Sequence, residues 1–175
     1  SQEGSGGYAQ YPNDGYTGGD IFLNDENYNA TLSNGTYGAN VFVHELGHAL
    51  GLKHPFDHEN TSGDIGDPPY LQGSEDHARW TMMSYTSTIA ENKLSFSDLD
   101  IAALQYIYGP SKIARTGDDT YSYKSYSANF IWDGGGEDTI DASSSTSKVT
   151  ISLEPGFWGY KGSSPSSKIT SNGQI

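Results

Sequence analysis

Three of the five histidines of this 175-residue chain lie within eleven residues of one another. His44 and His48 are one helical turn apart, so on a helix their imidazoles would project from the same face. Two imidazoles at that spacing can bind one zinc ion, and Glu45 beside them could act as a general base. Gly51 can end the helix in the left-handed conformation, so that the chain folds back and His54 supplies a third nitrogen. Three neutral nitrogen ligands with one open position are typical of a catalytic zinc site.

A simpler interpretation of the three histidines competes with the metal site. An amphipathic helix with solvated histidines would also contain the run, because a bare H-E-x-x-H arises by chance. The glycine and third histidine at fixed offsets make the match far more demanding, so we interpret residues 44–54 as a metal site.

His58 and His77 lie in a long polar stretch, residues 53–78, that could border a substrate cleft or be a solvated excursion. We expect both to be exposed or hydrogen-bonded rather than ligands.

The composition excludes several classes of partner. The formal net charge is −13, from 22 acidic and 9 basic residues, and such a chain would repel nucleic acid and anionic membrane surfaces. There is no cysteine, which excludes disulfides and thiolate ligands. No apolar run approaches the length of a membrane span. We therefore exclude nucleic acid and membranes as partners, whereas recurrent aspartates and glycines suit hard cations such as calcium.

The elements that would position these residues follow from the local pattern. Residues 1–19 have a loop composition, and we predict a strand over Gly19–Asn24. A helix is predicted over Thr36–Leu50, and a second over Ser97–Tyr108, with Ser97 as its N-cap and Tyr108 among the side chains that face a core.

The texture of the chain changes after the second helix. Beyond Pro110, Gly/Asp turns separate short β-forming runs. We therefore place a domain boundary near residues 109–112, which divides the chain into one domain over residues 1–110 and another over residues 111–175.

Several of these motifs also carry a family resemblance. Residues 44–54 match the metzincin signature H-E-x-x-H-x-x-G-x-x-H, and the Met-Met-Ser-Tyr run at 82–85 resembles the Met-turn of that superfamily. Three further features narrow the resemblance from the superfamily to one family. They are Pro55, the helix over residues 100–109 and the W-D-G-G-G-E-D turn at 132–138. Together they resemble the serralysin family of secreted zinc endopeptidases, which carry a calcium-binding repeats-in-toxin β-roll behind the catalytic domain.

The resemblance implies an α+β fold. The C-terminal part of a metzincin (zincin-like) catalytic domain would occupy residues 1–110. The beginning of an all-β roll or sandwich domain, the calcium-binding β-roll, would occupy residues 111–175. Family members build most of their sheet before the zinc helix, and only about forty residues precede it here. We therefore expect an internal segment of a longer protein, for which the N-terminal part of the same protease would be a partner.

The resemblance also implies a role for each matching residue. Glu45 would be the general base that takes a proton from the attacking water. Tyr85 would bind zinc at rest and swing away to stabilise the oxyanion, and Met83 would support the site from beneath. The substrate would pair with an edge strand, for which Gly19–Asn24 is the candidate. The zinc ligands would be His44, His48 and His54.

Calcium would bind where the roll begins. The family uses carbonyl and carboxylate oxygens of an R-x-G-D-x turn and a W-D-x-G-G-x-D turn, which are ligands that calcium prefers. Ordinary acidic turns without metal are the alternative, because Asp and Gly favour turns in any case. The matching residues are Arg115, Gly117, Asp119, Asp133, Gly135, Gly136 and Asp138.

The leading hypothesis is a secreted, extracellular zinc endopeptidase, stabilised by calcium, that hydrolyses peptide bonds in proteins. Its cofactors would be Zn²⁺ and Ca²⁺, and its partners protein or peptide substrates and a proteinaceous inhibitor. The alternative is a calcium-binding structural module that contains a non-functional protease remnant. A zinc hydrolase of non-peptide esters or amides would use the same residues.

Overall fold

The computed structural model describes residues 6–25, 31–56, 69–87, 92–122, 131–153, 159–161 and 168–169. The chain divides into two units, Ser1–Tyr108 and Gly109–Ile175. Among the described residues, no helix is long and apolar enough to cross a membrane. Helices and strands are both present, which confirms the mixed character of the predicted fold.

Two short strands open the first unit. Strand β1 (Gly7–Ala9) pairs antiparallel with β2 (Ile21–Leu23), and Tyr8 stacks on Phe22 with ring centroids 4.7 Å apart. Strand β2 lies inside the predicted segment. The prediction of a loop over residues 1–19 is wrong for β1, because three residues are too few to show alternation. Pairing with β2 makes them a strand.

Helix α1 (Tyr37–Ala49) lies within its predicted bounds, and hydrogen bonds cap both of its ends. At its start, the hydroxyl of Thr36 accepts a hydrogen bond from the Ala39 N–H at 3.2 Å, as an N-cap does. At its end, Gly51 has φ +94, its N–H donates to the His48 carbonyl, and the Leu52 N–H donates to the Gly47 carbonyl, both at 2.9 Å. This is a Schellman motif, and it turns the chain back beside the helix.

A short 3₁₀ helix (Gly73–Glu75) precedes helix α2 (Asp98–Tyr108). Ser97 stands at the N-cap position of α2 as predicted, since its carbonyl accepts from the Ile101 N–H at 3.1 Å, but its hydroxyl donates to the Ala78 carbonyl at 2.9 Å and does not cap the first turn. Instead the Asp100 carboxylate accepts from the Ser97 N–H at 2.8 Å, which is the reach-back half of a capping box. The prediction that Tyr108 faces a core is wrong, since 60% of its surface is exposed.

The buried core of the first unit gathers around α1 and residues 81–84. Met82 and Met83 are at most 2% exposed, as expected of side chains that fill core space. The other buried apolar residues of this unit are Ala39, Val41, Val43, Leu52, Phe56 and Ala78.

The second unit contains only short strands in its described part. Strands β3 (Thr120–Ser122) and β4 (Thr139–Asp141) pair in parallel. Strand β6 (Gly159–Lys161) lies between β5 (Val149–Thr150) and β7 (Lys168–Ile169), antiparallel to both.

Candidate metal centre

The imidazoles of His44, His48 and His54 converge in the first unit. Their Nε2 atoms are 3.2 Å apart between His44 and His48, 3.1 Å between His44 and His54, and 3.0 Å between His48 and His54. All three side chains are buried. Helix α1 supplies two of them from one face, and the Schellman turn returns the chain to supply the third.

The outer nitrogens of the two helical histidines determine where their lone pairs point. His44 Nδ1 lies 2.7 Å from the Met82 carbonyl, and His48 Nδ1 lies 2.9 Å from the Leu52 carbonyl. A carbonyl oxygen only accepts, so each Nδ1 carries the proton and each Nε2 keeps a lone pair. Two lone pairs at 3.2 Å cannot hydrogen-bond to each other. A cation shared between them satisfies both.

The electrostatics of the site also suit a metal ion. Burial, and then the neighbouring His48, lower the pKa of His44 to about 3, so its imidazole is neutral at physiological pH. An imidazole must be neutral to bind a metal ion, and the carbonyl bonds to Nδ1 fix the ring orientation as outer partners of zinc ligands do. A set of three buried imidazoles with converging Nε2 atoms fits Zn²⁺.

Glu45 lies on α1 directly beside the first histidine. It is buried, and its Oε2 has no hydrogen-bond partner in the part of the chain that the structure describes. Burial raises the pKa of this carboxyl to about 7. Strand β1 runs against it, since a Cβ atom placed on Gly7 would lie 3.2 Å from Glu45 Cγ. The strand that packs against Glu45 is therefore β1, which was not predicted from the sequence.

Tyr85 lies over the histidines with 57% of its surface exposed. Its ring centroid is 5.5 Å from that of His44 and 4.7 Å from that of His54. Phe56, which the sequence reading passed over, stacks on His54 at 5.1 Å and contacts the Tyr85 ring at 4.8 Å. The only sequence signal was an aromatic residue two places after the third histidine.

Met83 packs against α1 at Gly47, which lies between the two helical histidines. A Cβ atom on Gly47 would clash with the Met83 sulfur, so only glycine allows this approach. A glycine inside a helix costs about 1 kcal/mol relative to alanine, and that cost was the available signal. Tyr11 was also missed, and its hydroxyl oxygen lies 3.2 Å from His48 Nδ1.

The remaining histidines differ in what can be said of them. His77 Nδ1 accepts a hydrogen bond from the Arg79 N–H at 3.1 Å, in agreement with the expected hydrogen-bonded role. His58 lies outside the described residues.

The second unit brings three carboxylates together. Asp119, Asp133 and Asp138 each offer an oxygen atom, and these atoms lie within 4.8 Å of one another. Asp138 accepts from the Asp119 N–H at 3.0 Å. Hydrogen bonds from the Tyr121 hydroxyl and the Gly135 N–H hold the pKa of Asp133 below its usual range.

The backbone of this acidic cluster depends on unusual dihedral angles. Gly136 has φ +131, and a Cβ atom there would clash with the Gly117 carbonyl oxygen. Gly135 has φ +149. Arg115 has φ +48, a conformation rare for a residue with a side chain, and its carbonyl accepts from the Gly134 N–H at 3.2 Å. The two predicted turns therefore lie against each other.

Comparison with known proteins gives consistent matches. Residues 1–97 match the family Reprolysin_5, described as metallo-peptidase family M12. The chain is 35% identical over 178 residues to serralysin of Proteus mirabilis, which covers 85% of this chain and 36% of that protein. It is 34% identical over 174 residues to serralysin B of Dickeya chrysanthemi, with coverages of 85% and 36%. With metallopeptidase AprA of Pseudomonas marginalis the identity is 33% over 184 residues, with coverages of 87% and 38%. The chain thus spans little more than a third of the length of these relatives.

Proposed function

The chain belongs to metallopeptidase family M12, as a metzincin of the serralysin type, and we propose that it forms the active centre of a zinc-dependent endopeptidase. One observation supports this above the others. The three buried Nε2 atoms lie 3.0–3.2 Å apart, with two of their rings oriented by carbonyl groups. The same proposal holds that the substrate is a protein, that the reaction is hydrolysis of its peptide bonds, and that the enzyme acts outside the cell.

Each group has a distinct task in peptide hydrolysis. A zinc ion held by the three histidines would polarise the scissile carbonyl and lower the pKa of a water molecule. Glu45 accepts the proton of the attacking water at Oε2 and returns it to the leaving amine. The Tyr85 hydroxyl, on an exposed ring beside His54, donates to the oxygen on which negative charge develops.

The peptide would lie along β1 rather than along β2, the strand inside the segment Gly19–Asn24 that the sequence pattern favours. Strand β1 runs against Glu45. The Gly6 carbonyl and the Gln10 N–H bond to the β2 side, at Asn24 and Asp20. Because an antiparallel ladder has a two-residue period, the N–H and C=O groups of Gly7 and Ala9 point away from β2. They are placed to pair with an extended peptide.

The test compares the unsubstituted protein, called the parent, with its variants, and it uses casein as substrate and metal content as a second readout. Glu45→Gln should keep zinc and lower turnover by about 10²–10⁴-fold, because only the base is lost. His77→Ala is the control and should keep both zinc and turnover. A parent that holds zinc but cleaves no protein would overturn the proposal. Cleavage of esters in its place would indicate a non-peptide hydrolase.

We further propose that the acidic cluster of the second unit binds calcium and stabilises a β-roll that begins near residues 109–112. Three carboxylates within 4.8 Å, close to the Gly117 carbonyl, support this. Calcium should raise the melting temperature of the parent, and Asp138→Asn should remove most of that rise. Asp141→Asn, in the same unit but outside the cluster, is the matched control. A rise that persists in Asp138→Asn would contradict the assignment.

The rival reading is a calcium-binding module with a non-functional protease remnant. It predicts a calcium-dependent melting temperature in a parent that contains no zinc. Metal analysis of the purified parent therefore separates the two functions.

A further inference from the structure

Asp100 is a buried carboxylate to which the proposed reaction assigns no role. It lies in the first turn of α2, and only 2% of its surface is exposed. Its Oδ1 accepts from the Thr81 hydroxyl at 2.6 Å, and its Oδ2 accepts from the Met82 N–H and the Ser97 N–H, both at 2.8 Å. A carboxylate with three donors at these distances is tightly held, because bonds to a charged acceptor are stronger than neutral ones.

One of these donors belongs to a residue that touches the metal centre. Met82 gives its N–H to Asp100, and its carbonyl oxygen accepts from His44 Nδ1 at 2.7 Å. Two hydrogen bonds therefore join Asp100 to the His44 imidazole through the backbone of a single residue, Met82.

The Thr81 bond strengthens the same connection. The Thr81 hydroxyl that donates to Asp100 also accepts from the Met83 N–H at 3.1 Å. Met83 in turn packs against Gly47 on α1. Asp100 thus holds residues 81–83 in the conformation that both orients His44 and backs the helix.

Asp98 provides a natural contrast two residues away. It is buried to a similar degree, at 3% exposed, and lies in the same turn of α2. Its Oδ2, however, has no hydrogen-bond partner within the described ranges. Burial alone therefore does not distinguish the two carboxylates, whereas the connection to residues 81–83 does.

We propose that Asp100 is a positioning residue of the metal centre, which fixes residues 81–83 so that the Met82 carbonyl orients the His44 ring. The inference rests on the proposed function only in that the three histidines bind a metal ion. Outer partners of metal ligands typically change metal affinity or activity by about 10–100-fold when they are removed.

The experiment compares Asp100→Ala with Asp98→Ala, each against the parent. Zinc affinity is measured by competition with a chelator, the visible spectrum of the Co²⁺ form reports ligand geometry, and urea denaturation reports stability. We expect Asp100→Ala to bind zinc about 10–100-fold more weakly and to shift the Co²⁺ spectrum. Asp98→Ala should leave both unchanged. Asp100→Asn should recover part of the affinity, because its remaining oxygen can still accept from the two backbone N–H groups.

Two results would overturn the proposal. One is an unchanged zinc affinity and Co²⁺ spectrum in a destabilised Asp100→Ala protein, which would make Asp100 merely structural. The other is an equal loss of affinity in Asp98→Ala. If Asp100→Ala does not fold, Thr81→Val decides, with weaker zinc binding and a shifted spectrum expected and no change as the contrary result. A parent that binds zinc but cleaves no protein would refute the proposed function and leave this inference testable.

Discussion

The pKa values of carboxyl groups are shifted in opposite directions in the two units. In the first unit, burial raises the pKa of Glu45 to about 7 and that of Asp98 to about 6. In the second unit, hydrogen bonds from side-chain hydroxyl groups hold the pKa values of Asp133 and Asp141 below their usual range. The surroundings of Glu45 and Asp98 favour proton uptake, whereas those of Asp133 and Asp141 favour the ionised carboxylate.

This difference matches the metals that we propose for the two units. Buried imidazole nitrogen atoms on a helix and on the turn that follows it suit zinc, which takes few ligands in a tetrahedral geometry. Ionised oxygen atoms on glycine-rich turns suit calcium, which accepts many oxygen ligands in flexible geometry. Substitutions that act on one unit alone test whether the two units differ in this way.

The largest expected effect is the loss of zinc from the first unit. His54→Ala removes one of three ligands without altering helix α1, and bound zinc should fall to roughly a tenth of the parent's after dialysis. Atomic absorption measures the metal. The calcium-dependent rise in melting temperature should persist, and its loss would show that the two sites are not separate.

The next effect concerns Asp98. Its pKa is raised mainly by burial and further by Asp100, while Lys93 and Arg79 oppose the shift. Between about pH 4 and 6 the folded state therefore keeps a proton that the unfolded state releases, so stability falls as pH rises through that window. Asp98→Asn should remove this loss and gain about 1–3 kcal/mol at pH 7 relative to pH 4. Urea denaturation at both pH values measures it.

The matched control for that prediction is Asp141→Asn in the second unit. The pKa of Asp141 is lowered, so its contribution to stability is present above the ordinary pKa of 3.8 and is lost on acidification. The Asp141→Asn substitution should therefore cost more at pH 7 than at low pH. The same sign of pH dependence in both variants would contradict the contrast between the units.

The smallest effect concerns the packing beneath the zinc helix. Gly47→Ala should destabilise the protein by about 1–2 kcal/mol, because the new methyl group meets the Met83 sulfur. Helix propensity alone predicts the opposite sign, since alanine is the better helix former. In a Met83→Ala background Gly47→Ala should cost less than it does in the parent, because the sulfur is gone, and a double-mutant cycle by urea denaturation measures this coupling. A stabilised Gly47→Ala protein would refute the close contact.

The local elements were predictable wherever a few neighbouring residues decide the conformation. Thr36 caps helix α1 through its own side chain, and Gly51 adopts the left-handed conformation that only glycine reaches without strain. Strand β1 and the hydrogen bonds of Ser97 at the start of α2 were not predictable in the same way. The first depends on its partner strand, and the second on Asp100 and on the distant Ala78 carbonyl.

The local sequence is enough to predict the three histidines as a candidate metal centre. The spacing of His44, His48 and His54 around Gly51 follows from helix periodicity and from glycine's freedom, both of which are local. The groups that surround these histidines come together only when the chain folds. Asp100, Gly47 and Phe56 act through residues far away in the chain or through close contacts, and no local pattern encodes such contacts.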